Sequence, residues 1–132
     1  MKINYQKLLD KLFSLIQEKP NVRPGTKSLG ELHLLFSDIQ TDILLAYFSF
    51  ESEAHESEAH YNKALEYLVS REKMNGKVTG LELIQHGFQS GPDFKYLLVI
   101  AEKIQLDDPD KSVEEIIKQL KVVNLKEVFE NK

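Results

Sequence analysis

The sequence predicts an all-α fold, a multi-helical domain of about six or seven helices with a C-terminal helix-turn-helix pair. Three observations predict it. Apolar residues recur at three- and four-residue steps along most of the chain, strand-like alternation is scarce, and cap residues stand just ahead of several periodic stretches. With 132 residues, 42% of them hydrophobic and 29% charged, the chain has the composition of an ordinary folded protein. It contains no cysteine, which excludes disulfides and thiolate metal sites. No apolar run approaches the roughly 20 residues that span a bilayer, and the polar start Met1-Lys2-Ile3-Asn4 is unlike a signal peptide. A cytoplasmic protein with no membrane partner is expected.

The first helix is expected over residues 3–18. There Leu8, Leu12, Leu15 and Ile16, beside Tyr5, Leu9 and Phe13, give a wide apolar face. Residues 20–25 hold two prolines and a glycine, which end that helix and form the clearest linker. Ser28 with Glu31 three residues on is a capping box, and the spacing of Leu32, Leu35, Phe36, Ile39, Ile43 and Ala46 predicts one long helix to about residue 50. A tandem duplication follows, Glu51-Ser52-Glu53-Ala54-His55 and then Glu56-Ser57-Glu58-Ala59-His60. A carboxylate and a histidine four apart can share a metal ion, but histidines five apart lie about 140° around a helix and do not converge. The duplication therefore reads as a solvated helix start or loop, and no metal site is expected. Another helix passes through Ala64, Leu65, Leu68 and Val69 and stops at Asn75-Gly76.

The remaining elements form the tail. Thr79 with Glu82 makes a capping box for a short helix, and Gly87 stands where a helix ends in a left-handed residue. Ser90-Gly91-Pro92 is expected to start the next helix, since proline is tolerated in a first turn. Phe94, Leu97, Leu98, Ala101 and Ile104 form its buried face. Asp108-Pro109-Asp110 has the spacing of a magnesium-binding pair, but no strand or glycine turn precedes it, so it reads as a linker. Ser112 with Glu115 then caps a helix carrying Val113, Ile116, Ile117 and Leu120, and Asn124 with Glu127 caps a last short one. His33 and His86 read as ordinary helix residues, and no Ser-His-Asp pattern supports hydrolase chemistry.

The order Gly80, Glu82-Leu83, Gly87 and Gly91-Pro92, followed by an apolar helix with Leu98, Gln105 and Leu106, resembles the tail of the tRNA nucleotidyltransferase (CCA-adding) and poly(A) polymerase family. Bacterial members carry a segment close to Gly-x-Asp-Leu-x-x-x-Gly-x-x-x-Gly-Pro. Here Glu82 replaces the aspartate and keeps a capping carboxylate, while Leu81 stands where a basic residue is frequent. The resemblance is specific over residues 78–106, looser over 28–77, where residues 29–46 are similar to the family's body helix, and absent over 1–27. It implies a body-like helical segment over residues 1–77 and a tail-like one over 78–132, expected to form one compact unit. It also implies that the catalytic head, with its paired aspartates, lies outside this chain. No catalytic residue and no cofactor is expected here, and a parent enzyme would add CCA or poly(A).

On this resemblance the chain is the RNA-holding, tRNA-binding part, or a headless relative, of such an enzyme, and its partners are tRNA or another RNA and a catalytic head. Lys77, Gly91 and Lys95 are the candidate RNA contacts, at a helix start whose free N–H groups suit a phosphate. Read from the residues alone, the better-supported use of the same glycines is to shape the bend, since glycine's first use is conformational. The net charge is −4 and only two arginines are present, so any RNA contact has to be a local patch. The alternative reading is a helical protein-protein interaction or dimerisation module without RNA binding, whose apolar helices bury against a partner or a homo-oligomer copy. A DNA-binding helix-turn-helix is less well supported, because its recognition helix sets Lys95 and Lys103 against Asp93 and Glu102.

Overall fold

A computed structural model describes residues 5–19, 22–55 and 58–130. Among these it is all-helical, without strands: α1 (Tyr5–Glu18), a 3-10 turn (Pro24–Thr26), α2 (Leu29–Phe36), α3 (Thr41–His55), α4 (Glu58–Lys73), α5 (Gly80–Gln85), α6 (Phe94–Asp107), α7 (Val113–Leu120) and α8 (Leu125–Glu130). The eight α-helices exceed the expected number because the long helix expected from Ser28 is broken. The N–H of Ser37 closes α2 on the His33 carbonyl, and the Gln40 carbonyl opens α3 by accepting from Leu44 N–H. Nothing in the apolar spacing marks the break. The turn falls at Ser37 and Asp38, residue types that favour turns over helix interiors.

The chain divides into two compact units, each built from two stretches: Met1–Lys27 with Asp38–Val69, and Ser28–Ser37 with Ser70–Lys132. Residues 77 and 78, the boundary expected from the resemblance, both fall in the second stretch of the second unit.

In the first unit α1 packs on α3. Leu15 of α1 is buried, and Ile43, Leu44, Tyr47 and Phe48 recur along one face of α3 at helical spacing. The Tyr47 hydroxyl donates to the carbonyl of Lys19, just past the end of α1, which satisfies a polar group that burial would otherwise leave costly. Burial, with the neighbouring carboxylate of Glu51 adding to it, pushes the Tyr47 phenol above its ordinary range. The first copy of the duplicated segment ends α3, and Glu58, Ala59 and His60 of the second begin α4. Glu51 is buried rather than solvated, and the His60 ring accepts a hydrogen bond from Gly25 N–H at 2.9 Å. The expected solvated setting is corrected at Glu51, while His60 stays partly exposed at the start of α4; Glu56 and Ser57 lie outside the described residues.

The second unit is organised around α6, against which α2 and α7 pack. Its core joins Val78 and Leu83 to Leu97, Ile100, Ala101 and Ile104 of α6 and Ile116, Ile117 and Leu120 of α7. The capping boxes at Ser28 and Ser112 are both complete, each hydroxyl accepting from the N3 amide while the N3 glutamate accepts from the cap amide. A further device fixes α2: the Gly30 amide donates to Asp107 at 2.7 Å, so a side chain at the end of α6 caps a helix start 77 residues away. A side chain is excluded there, because a Cβ at position 30 would stand 2.7 Å from the backbone carbonyl of Lys103 as well as 2.2 Å from the Asp107 carboxylate.

His33 is not the ordinary helix residue the sequence suggests. It is buried, with Nε2 3.2 Å from the Glu102 carboxylate on α6.

Candidate functional site

The α5–α6 corner follows the residues that carry the family resemblance. The Thr79 hydroxyl accepts from Glu82 N–H at 3.3 Å, one half of the expected capping box. Gly87 adopts φ +93°, the left-handed conformation expected of it. Phe88 N–H donates to the Leu83 carbonyl at 3.0 Å and Gly87 N–H to that of Ile84 at 3.1 Å, the paired bonds of a Schellman motif. Leu83 lies in the core and Phe88 packs against it, the apolar contact that goes with this motif. Gly80 begins α5, and a Cβ there would meet Phe94 only at an ordinary 3.9 Å.

The start of α6 differs from expectation. The helix begins at Phe94, with Asp93 as its N-cap and no side-chain cap bond, and Gly91 and Pro92 lie in a turn ahead of it. Phe94 N–H donates back to the Gly91 carbonyl at 3.1 Å, which puts Pro92 at the second position of a four-residue turn, where its fixed φ is favoured. Gly91 is exposed, with open space where a Cβ would stand.

The three candidate RNA contacts are not brought to one place. The Lys77 ammonium donates to the carbonyls of Pro109 at 2.7 Å and Lys111 at 2.9 Å. Its backbone N–H donates to the Gln105 side chain, whose amide in turn donates to the Asn75 carbonyl. Lys77 and Gln105 thus stitch the chain ahead of α5 to the last turn of α6 and to the linker after it. Lys95 stands at the other end of α6, its amine 4.9 Å above the Tyr96 ring. Ten residues of helix between Lys95 and Gln105 amount to about 15 Å of rise. Asp108 and Asp110 are exposed in the same linker, where Lys111 N–H closes a turn on the Asp108 carbonyl. Among the described residues no three His, Cys, Asp or Glu side chains group as metal ligands. No helix among them is long and apolar enough to cross a membrane.

The first unit offers a different surface. Around α1, Leu8, Leu12 and Leu15 fall on one side and Leu9, Phe13 and Ile16 roughly 100° further round. The first set faces α3. In the second, Leu9 is 45% and Phe13 58% exposed. Between α1 and α3 an apolar cleft of about 170 Å³ is lined by Leu8, Leu9, Leu12, Ile43 and Ala46, with Asp42 at its edge. A second cleft, about 580 Å³, lies along the opposite flank of α1, where Leu15 and Ile43 form an apolar floor beneath Lys7, Lys11, Glu18 and Asp38. The sequence carries the apolar breadth of α1 as one wide face. The usable signal was its width, since an arc carrying both sets is broader than one neighbouring helix covers.

Comparison of the chain with models of known families, with curated proteins and with solved structures gives no match.

Proposed function

We propose that the chain is a helical protein-protein interaction module whose contact surface is the outward apolar arc of α1. One observation carries this reading: α1 presents Leu9 and Phe13 to solvent beside an apolar cleft, although the same helix already has a packed side against α3. An exposed apolar surface of this kind lowers its free energy by meeting another protein, at about 25 cal/mol for each Å² withdrawn from water. The overall negative charge favours a protein partner over a phosphate backbone.

The tRNA-holding reading, drawn from the resemblance to the nucleotidyltransferase tail, rests on the exposed Gly91 turn and Lys95. Two features weigh against it: the Lys77 ammonium already serves two carbonyls, and Asp93 sits beside the turn. A fluorescence-anisotropy titration with tRNA, an acceptor minihelix and an unrelated DNA duplex at two salt concentrations separates the readings. The interaction reading expects no preference for tRNA. It also expects a protein partner captured by the wild-type chain to be lost with Leu9→Glu and kept with Lys95→Ala. Selective tRNA binding that disappears in Lys95→Ala would overturn it.

A further inference from the structure

The loop between α4 and α5 carries chemistry of a different kind. We infer that Asn75-Gly76 is a site of spontaneous backbone modification, at which Asn75 loses its side-chain amide and the chain converts to an isoaspartyl linkage. Asparagine is a thermolabile residue, and the conversion needs a side chain free to fold back, an uncommitted amide nitrogen on the next residue, and no side chain blocking the approach. Asn75 and Gly76 are exposed and lie outside the helices, between Lys73 and Gly80. Among the described residues, neither the Asn75 side chain nor the Gly76 N–H has a hydrogen-bond partner. A Cβ at position 76 would meet only the Val78 carbonyl, at 3.8 Å, so the space beside the amide is open. No other asparagine in the sequence precedes glycine. Asn62 lies inside α4, where the amide that follows it is committed to the helix ladder. The Asn124 side chain is held as a cap by Glu127 N–H at 3.2 Å.

The Gly76 nitrogen attacks Asn75 Cγ. A bond forms between them, the Cγ–Nδ2 bond breaks, and the side-chain nitrogen leaves as ammonia, taking the proton that Gly76 gives up. Water then opens the resulting succinimide ring. Attack at Cγ breaks the new bond and leaves an ordinary aspartate, whereas attack at the Asn75 carbonyl carbon breaks the original peptide bond and routes the chain through the side chain. Either product adds one negative charge to a net charge of −4. The isoaspartyl product does more, because Gln105 holds both sides of this dipeptide. Its amide donates to the Asn75 carbonyl at 2.7 Å, and its carbonyl accepts from Lys77 N–H at 2.9 Å. In the isoaspartyl chain that Asn75 oxygen belongs to a free carboxylate, and one extra methylene separates the two points that Gln105 brackets. The bracket therefore opens when the site converts.

The test is incubation of the folded chain at mildly alkaline pH and physiological temperature, beside the urea-unfolded chain. It is read by peptide mass spectrometry and by methyl transfer from S-adenosylmethionine with an isoaspartyl-directed methyltransferase as the probe. In the folded chain the peptide holding residue 75 should exchange its amide for an acid and take up methyl label, while those holding Asn62 and Asn124 keep their amides. Asn75→Gln should abolish the label. Gly76→Ala should remove most of it with unchanged circular dichroism, since the added methyl group fits the open space but hinders the attacking nitrogen. In the converted fraction the Lys77 amide should exchange with solvent faster than in fresh protein. An Asn75 that converts only in the unfolded chain, or label that survives Asn75→Gln, overturns the site. Unchanged exchange at Lys77 overturns the opening of the Gln105 bracket. The reading of α1 as a contact surface is tested separately, by capture of a protein that Leu9→Glu abolishes.

Discussion

The two units close their helices in different ways. In the second, α6 is covered by α2 and α7, and long-range polar contacts lock each junction: Asp107 on the Gly30 amide, Lys77 on two linker carbonyls, and Gln105 on both Lys77 and Asn75. In the first, α1 packs on α3 and leaves a second apolar side in solvent. A helix whose apolar arc is wider than its contact has stability it can still gain, and a partner is the usual way to gain it. The comparison therefore separates a unit whose helix junctions are held by long-range polar staples from one whose first helix keeps an apolar side in solvent.

The largest expected effect tests the closed unit. Gly30→Ala should lower stability by about 3 kcal/mol, because its Cβ displaces the Asp107 carboxylate that caps α2. At this chain length that is a fall in melting temperature of roughly 10 °C. A variant that melts like the wild type would remove the tertiary cap from the description. Gly87→Val should follow at about 2 kcal/mol, since a β-branched residue resists the left-handed conformation. Its effect is purely conformational, because a Cβ there meets nothing within 4 Å. Lys77→Met keeps the aliphatic stem and deletes the two carbonyl contacts. A loss of about 1–2 kcal/mol in denaturant unfolding is expected, against none if the lysine is a free surface cation.

Acid and alkali should act on different units. Hydrogen bonds from the Ser112 amide and hydroxyl hold the exposed Glu115 carboxyl below its ordinary value of 4.5. A depressed folded-state pKa gives stability that is present above the ordinary value and lost as pH falls through the folded one. Ser112→Ala should therefore flatten the acid limb below about pH 4.5. Tyr47 is shifted the other way by burial. Its contribution is complete below the ordinary phenol value of 10.0 and is lost as pH climbs above it. Tyr47→Phe should flatten the alkaline limb instead. The tyrosine signal reports mainly on the first unit, which holds Tyr5, Tyr47, Tyr61 and Tyr67 against Tyr96 in the second. The smallest expected effect is that of Phe13→Glu on folding, within about 0.5 kcal/mol as for an exposed position. A large loss of stability would show that Phe13 belongs to a core.

Local signals were legible in the sequence. The cap hydroxyls at Ser28, Ser112 and Thr79 and the side chain of Asn124 all accept from the amide three residues on, as their spacing predicts. Gly87 takes the left-handed conformation for the reason its position suggested. The contacts that decide the site were not legible, because each joins residues far apart in the chain. Asp107 reaches Gly30, Glu102 reaches His33, and Lys77 spans 32 and 34 residues to its two carbonyls. Composition gave Lys77 the look of a surface cation, and only its surroundings show the ammonium in use as a staple. The break at residues 37–40 was hidden for another reason: Phe36, Ile39 and Ile43 keep a helical period straight across it. Periodicity reports which side of a helix is apolar. It does not report that two helices in phase serve different cores.

The most direct measurement is native-state hydrogen exchange, resolved by residue, with and without a protein captured by the wild-type chain. If α1 is a protein contact surface, its amides and those around Ala46 should exchange more slowly in the complex, while α5 to α8 stay unchanged, and Leu9→Glu should erase the difference. Exchange along α1 that the captured protein leaves unchanged, or added protection centred on residues 91–95 instead, would contradict the role given to this face.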